Sequence, residues 1–258
     1  MIVTSTITLE SYLQRKKILS EPIARREFCL ECRKPKLTCY CSSLKPIQSN
    51  PRFVILMHPL EAKHPVGTGR MAHRVLSNSE LWVGTDFQNS KNLQSLLSDP
   101  KIHPMLLFPG PQSRDLSQLS ENSRSELLPP DKEAVVIVLD GTWHLAKKML
   151  FRTPRLQTLP QISFTPTRPS KFIVRRQPHD LCFSTIEAIH EVLTLMSADQ
   201  SQSEPPEQDV LLEIFDEMVK KQLSFRNNRS PSRHLLAFQK RKARLEQKAN
   251  IDKQNKPE

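Results

Sequence analysis

With 258 residues, 37% of them hydrophobic, the chain can bury one substantial core, and a single main domain is the expectation. The longest apolar run is six residues, far below the ~18 needed to span a bilayer, and no apolar block opens the N-terminus, so membrane insertion and export lose support. The formal charge of +11 is concentrated at one end: residues 220–258 hold 12 Lys and Arg against 3 Asp and Glu, leaving +2 for residues 1–219. A soluble cytoplasmic protein is expected, with a nuclear address open if the source is eukaryotic, and no obligate protein partner is evident.

Residues 1–24 read as a polar, basic arm in which Leu9, Leu13 and Ile18 could share one face of a short helix. Residues 25–50 carry Cys29, Cys32, Cys39 and Cys41, a CxxC and a CxC separated by six positions. Four thiolates so close in sequence can close a tetrahedral shell around zinc, which would stabilise a small loop-rich knuckle structurally. Disulfides are the competing reading, weakened by the missing export signal and by Cys182 standing alone. A redox CxxC has less support still, because this one does not open a helix after a strand.

Residues 51–225 carry the pattern of an α/β domain with a mostly parallel sheet. Arg52–Met57 reads as a strand ending in His58-Pro59-Leu60-Glu61 and running on to Gly67-Thr68-Gly69-Arg70, where Thr68 could cap a helix. Neither a Walker loop nor a GxGxxG fingerprint is present, which argues against ATP hydrolysis and a standard dinucleotide site. Leu81–Val83 and Met105–Phe108 are further candidate strands. Residues 111–131 look like an exposed connection.

Ala134–Leu139 is an unbroken apolar run, rich in Val and Ile, as expected of a strand covered on both faces. It ends in Asp140-Gly141-Thr142-Trp143. Asp140 or Thr142 could simply cap the helix expected from His144 to Leu150, or Asp140 could belong to a site. Pro169 and Pro178 bracket Lys171–Arg176, read as another strand, and Ser184 and Glu187 have the spacing of a capping box opening a helix through Met196. A stripe of Val210, Leu211, Ile214, Phe215, Met218 and Val219 marks an amphipathic helix whose plain role is core packing. All five glycines, Gly67, Gly69, Gly84, Gly110 and Gly141, lie at or just after candidate strand ends, which suggests one shared ligand face. The tail over 226–258 includes Lys240, Arg241, Lys242 and Arg244, expected to meet RNA phosphates; a solvated tail without a partner is the alternative. With few tyrosines and tryptophans for base stacking, shape and phosphate recognition of a folded RNA is the easier reading.

Together, the cysteine knuckle, His58-Pro59-x-Glu61 leading to Thr68-Gly69-Arg70, the Leu107-Phe108-Pro109 strand end, Asp140-x-Thr142-Trp143, and the Arg175 segment leading to Ser184-Thr185-x-Glu187-Ala188 occur in one order. In this the chain resembles the DTW-domain family of tRNA-uridine aminocarboxypropyltransferases over roughly residues 25–195. The resemblance implies transfer of the 3-amino-3-carboxypropyl group of S-adenosylmethionine to a tRNA uridine, giving acp3U and methylthioadenosine, on a SPOUT-like fold whose knotted strand-end loops hold the cofactor. Asp140 would then be the base acting on the uridine, or would orient it, with Thr142 and Trp143 shaping the pocket. His58, Glu61, Thr68, Gly69, Arg70, Pro109, Arg175, Ser184, Thr185 and Glu187 would serve the donor, Arg70, Arg175 and the Ser184-Thr185 cap holding its carboxylate. A SPOUT-like RNA methyltransferase and a non-catalytic zinc-containing RNA-binding protein are the rivals.

Overall fold

The computed structural model describes residues 27–175, 177–197 and 206–227. The expected N-terminal arm and the basic cluster Lys240, Arg241, Lys242 and Arg244 lie outside the described residues. Two compact units are formed, one ending at Cys39 and the other starting at Tyr40.

The first unit is a knuckle. The N–H of Cys29 donates to Lys34 O at 2.7 Å and that of Arg33 to Cys29 O at 2.9 Å, and Arg33 takes a left-handed φ of 58° to close the turn.

The second unit is built on a six-stranded parallel sheet with order β2-β1-β5-β3-β6-β4. The strands are β1 (Arg52–Met57), β2 (Glu80–Val83), β3 (Ile102–Leu107), β4 (Arg114–Asp115), β5 (Glu133–Asp140) and β6 (Gln161–Ser163). Among them run helices α1 (Pro59–Ala62), α2 (Thr68–Val75), α3 (Lys91–Ser98), α4 (Glu121–Ser125), α5 (Trp143–Arg152) and α6 (Pro154–Gln157), followed by α7 (Thr185–Met196) and α8 (Asp209–Asn227). The apolar run of β5 is central, paired with β1 from Arg52↔Val135 to Met57↔Asp140 and with β3 on its other edge. Its alternate residues Val135, Ile137 and Leu139 face a core shared with Leu93 and Leu96 of α3 and Ala146 and Met149 of α5. The opposite face is covered by α2, which packs on β1, β2 and α7, while α8 packs on both helices with Ile214, Phe215 and Met218 buried.

Pro104 is tolerated inside β3 for a local reason. The N–H groups of Leu106 and Phe108 point toward the β6 side, and at Pro104, of the same parity, that neighbour has not yet begun.

Several expectations are corrected. Lys171–Arg175 forms turns, not a strand: the N–H of Lys171 goes to the Glu187 carboxylate at 2.8 Å, and Phe172 tilts against Phe215 with centroids 5.6 Å apart. The strand that neighbours β3 is instead the short Gln161–Ser163. The stretch 111–131 contains β4 and α4, with Leu116 fully buried. Gly67, not Thr68, is the N-cap of α2, and Thr68 is its buried first residue. Among the described residues no helix is long and apolar enough to cross a membrane.

Candidate active site between the carboxyl ends of β1 and β5

From β1 the chain leaves toward β2 on one side, whereas β5 leads to β6 on the other. A crevice opens where neighbouring parallel strands send their chains in opposite directions, and Asp140 ends β5 at that point, opposite Met57. The N–H of His58 donates to Asp140 O at 2.9 Å, holding the two strand ends together.

The parity of Val136 and Val138 turns the Asp140 side chain to the face covered by α2 and α7. It is only 4% exposed. Oδ1 accepts the hydroxyl of Thr185, the first residue of α7, at 2.5 Å. Oδ2 is buried with no hydrogen-bond partner among the described residues. Gly69, in the first turn of α2, lies directly over it: a β-carbon there would collide with Oδ2 and Cγ. Two helix N-termini thus converge on one carboxyl group, an arrangement that favours negative charge. Burial outweighs that help. It pushes the Asp140 pKa up to about 6, the charge of Glu61 adding to the rise, while the Thr185 hydrogen bond and the charges of Arg175 and Arg70 pull it down.

Glu61 is itself 4% exposed and is held in a bidentate fork by Arg175, Nη1 donating at 2.6 Å and Nη2 at 2.5 Å. The fork joins α1 to the turn segment that leads to α7. Arg70 is half-buried and forms no ion pair among the described residues.

Other residues singled out in the sequence have local duties. His58 caps α1, its Nδ1 accepting from the N–H of Leu60 at 3.2 Å. Of the two candidate caps for α5 it is Thr142 that acts, accepting from Leu145 N–H. Trp143 is 39% exposed and meets Phe108 edge-on, centroids 5.8 Å apart. Pro109 lies exposed two residues beyond β3. Glu187 is fully buried and accepts the Ser184 N–H at 2.9 Å, the Ser184 hydroxyl at 2.6 Å and the Ser170 hydroxyl at 2.7 Å. It pins the turn over residues 170–171 to the start of α7. Ser170 escaped the sequence reading because the capping-box spacing signals Glu187 but not a partner 17 residues away.

The Sγ atoms of Cys29, Cys32, Cys39 and Cys41 all lie within 4.8 Å of one another. That of Cys32 is 3.7 Å from that of Cys39, too long for a disulfide and close to the edge of about 3.8 Å that a tetrahedron with ~2.3 Å zinc–sulfur bonds requires. Backbone N–H groups of Cys32 and Glu31 aimed at the Cys29 sulfur lower its pKa to about 6, favouring the thiolate a metal needs. The donor set suits a soft-ligand metal ion.

Known proteins bear on this geometry. A tRNA-uridine aminocarboxypropyltransferase 2 of Drosophila melanogaster is 29% identical over 196 residues, 73% of this chain and 74% of that protein. The tRNA-uridine aminocarboxypropyltransferase A of Arabidopsis thaliana is 26% identical over 82% of this chain and 87% of its own length. For the tRNA-uridine aminocarboxypropyltransferase 2 of Macaca fascicularis the identity is 24%, and the match spans 68% of this chain but 58% of that relative. No solved structure matches the chain. The DTW domain model matches residues 26–223, a span that takes in the cysteine cluster, both strand ends of the crevice and the Arg175–Glu187 segment. The chain therefore belongs to the DTW domain family.

Proposed function

We propose that the chain transfers the 3-amino-3-carboxypropyl group of S-adenosylmethionine to a uridine base of tRNA, forming acp3U and methylthioadenosine. The observation that carries this reading is Asp140: a carboxyl group with a pKa near 6 and one oxygen without a hydrogen-bond partner among the described residues, at the switch point of the sheet in a chain whose relatives are named for the reaction. In the transfer, uridine N3 bonds to the γ-carbon of the methionyl chain, the carbon–sulfur bond breaks, and its electron pair neutralises the sulfonium. The N3 proton must leave, and Asp140 takes it or holds the base by it before release to water. Gly69 lies over Oδ2 with nothing thicker than an α-carbon, so this step requires the first turn of α2 to yield to the uridine.

Arg70, cationic and without an ion-pair partner among the described residues, is the group that fits the donor carboxylate; Arg175 acts through Glu61. Trp143 with Phe108 offers an apolar wall. The cofactor site we take to be SPOUT-like and knotted, with His58, Glu61, Gly69, Asp140, Arg175 and Thr185 around the carboxyl ends of β1 and β5. The four thiolates we assign to structural zinc, with one ion per chain expected by elemental analysis. Cys32→Ser is expected to lower that content and loosen the knuckle; a full zinc complement in the variant would remove Cys32 from the ligand set.

The deciding experiment supplies tRNA with donor labelled separately in its carboxyl and methyl carbons. Carboxyl label should enter RNA with release of methylthioadenosine. Methyl label in RNA would make the protein a methyltransferase, and no transfer at all would leave a binding protein.

A further inference from the structure

The charge balance over residues 1–219 conceals a segregation. From Gly141 to His179 the sequence holds eight Lys and Arg and no acid. Several of these cations fall on one element. Helix α5, about 15 Å long at ~1.5 Å per residue, starts at Trp143 beside the crevice and exposes His144, Lys147, Lys148, Phe151 and Arg152, with Arg155 following on α6. Lys147, Lys148, Arg152 and Arg155 form no ion pair among the described residues. Lys148 and Arg152, one turn apart, line a pocket of about 210 Å³ together with His58, Leu60 and Thr85, at the carboxyl ends of β1 and β2. Asp86, next along the chain, turns its Oδ1 onto the N–H of Gln88 at 2.8 Å. Phe151 is 79% exposed on the same helix, an apolar ring among cations.

We propose that this face of α5 is a docking surface for the RNA backbone, with a phosphate seated between Lys148 and Arg152 and Phe151 offering a stacking surface for an unpaired base. Paired cations one turn apart neutralise consecutive or bridged phosphates and release their counterions, which gives affinity without sequence reading. An exposed aromatic among cations is the composition of single-strand platforms. The helix follows its cap Thr142, two residues after Asp140, so RNA held along it reaches the carboxyl end of β5. That the RNA is tRNA rests on the proposed function; that the surface binds polyanion does not.

The test uses the full chain, basic tail included, so that the tail's contribution is common to all proteins compared. Binding of tRNA is measured across a salt series for wild type, Lys148→Glu/Arg152→Glu and the charge-keeping Lys148→Arg/Arg152→Lys. The reversal variant should bind at least about tenfold more weakly at moderate salt, and its log–log salt slope should fall by about 1.4 to 1.8 for two lost contacts. In transfer assays it should raise KM for tRNA while leaving KM for the donor near wild type, and the charge-keeping variant should restore both. An unchanged salt slope in a reversal variant with wild-type melting would overturn the surface, as would a raised donor KM with unchanged tRNA affinity, which would give the pocket to the donor. If wild type transfers no label yet the reversal variant loses RNA binding, the proposed function fails and this surface stands.

Discussion

Asp140→Asn is expected to lower turnover by about 10²- to 10⁴-fold, the range of a lost acid–base group, while donor affinity changes by less than about threefold. Asparagine keeps the acceptor that Thr185 needs but cannot take a proton. Wild-type turnover should rise roughly tenfold per pH unit below about 6 and level off above it, because the base works when ionised. Stability should move the other way. The folded-state pKa of Asp140 lies above its ordinary 3.8, so between about 4 and 6 the folded chain keeps a proton that the unfolded chain has released. The stabilisation this group contributes is present at low pH and is lost as pH rises through about 6, on the order of 3 kcal/mol in all. Asn does not titrate, so melting of the variant should lack this component between pH 4 and 7. Turnover near wild type would sink the catalytic assignment, and a pH slope of melting identical to wild type would sink the buried-proton account.

How far the site could be read from sequence depended on the range of the interaction. β5 was legible because six apolar residues in a row need cover on both faces, and Asp140 was legible because a charge ends that run. Its position at a switch point was not, since strand order is a tertiary property that puts β5 between β1 and β3. Lys171–Arg176 imitates a strand by composition. In the fold, Phe172 and Val174 are buried one at a time within turns, while Lys171 gives its N–H to a carboxylate. β6 was missed because three residues, Gln161–Ser163, carry no periodicity. The basic face of α5 was hidden by averaging, the acids that balance it lying elsewhere in residues 1–219. The Glu61–Arg175 fork joins residues 114 apart, beyond any local pattern.

That fork gives the second large effect. Arg175→Ala should destabilise the protein by about 3–5 kcal/mol, because Glu61 would be left buried without its partner, and melting should drop by roughly 6–20 °C. It should also move the Asp140 titration upward, since a cation that favours the carboxylate is lost and the charge of Glu61, which opposes it, is no longer offset. Glu61→Gln should move it down. Removing both charges, as Glu61→Leu/Arg175→Met, is expected to recover most of the stability, since a buried ion pair contributes little over a well-packed apolar pair. The double variant also separates two roles for Arg175. If the guanidinium only positions α1 and the approach to α7, activity returns with stability, whereas a guanidinium that also touches the donor carboxylate leaves the double variant stable with a raised KM for the donor. A melting temperature within about 2 °C of wild type for Arg175→Ala, less than the shift from 1 kcal/mol, would mean that Glu61 finds water or another partner and that the fork is not what holds the crevice.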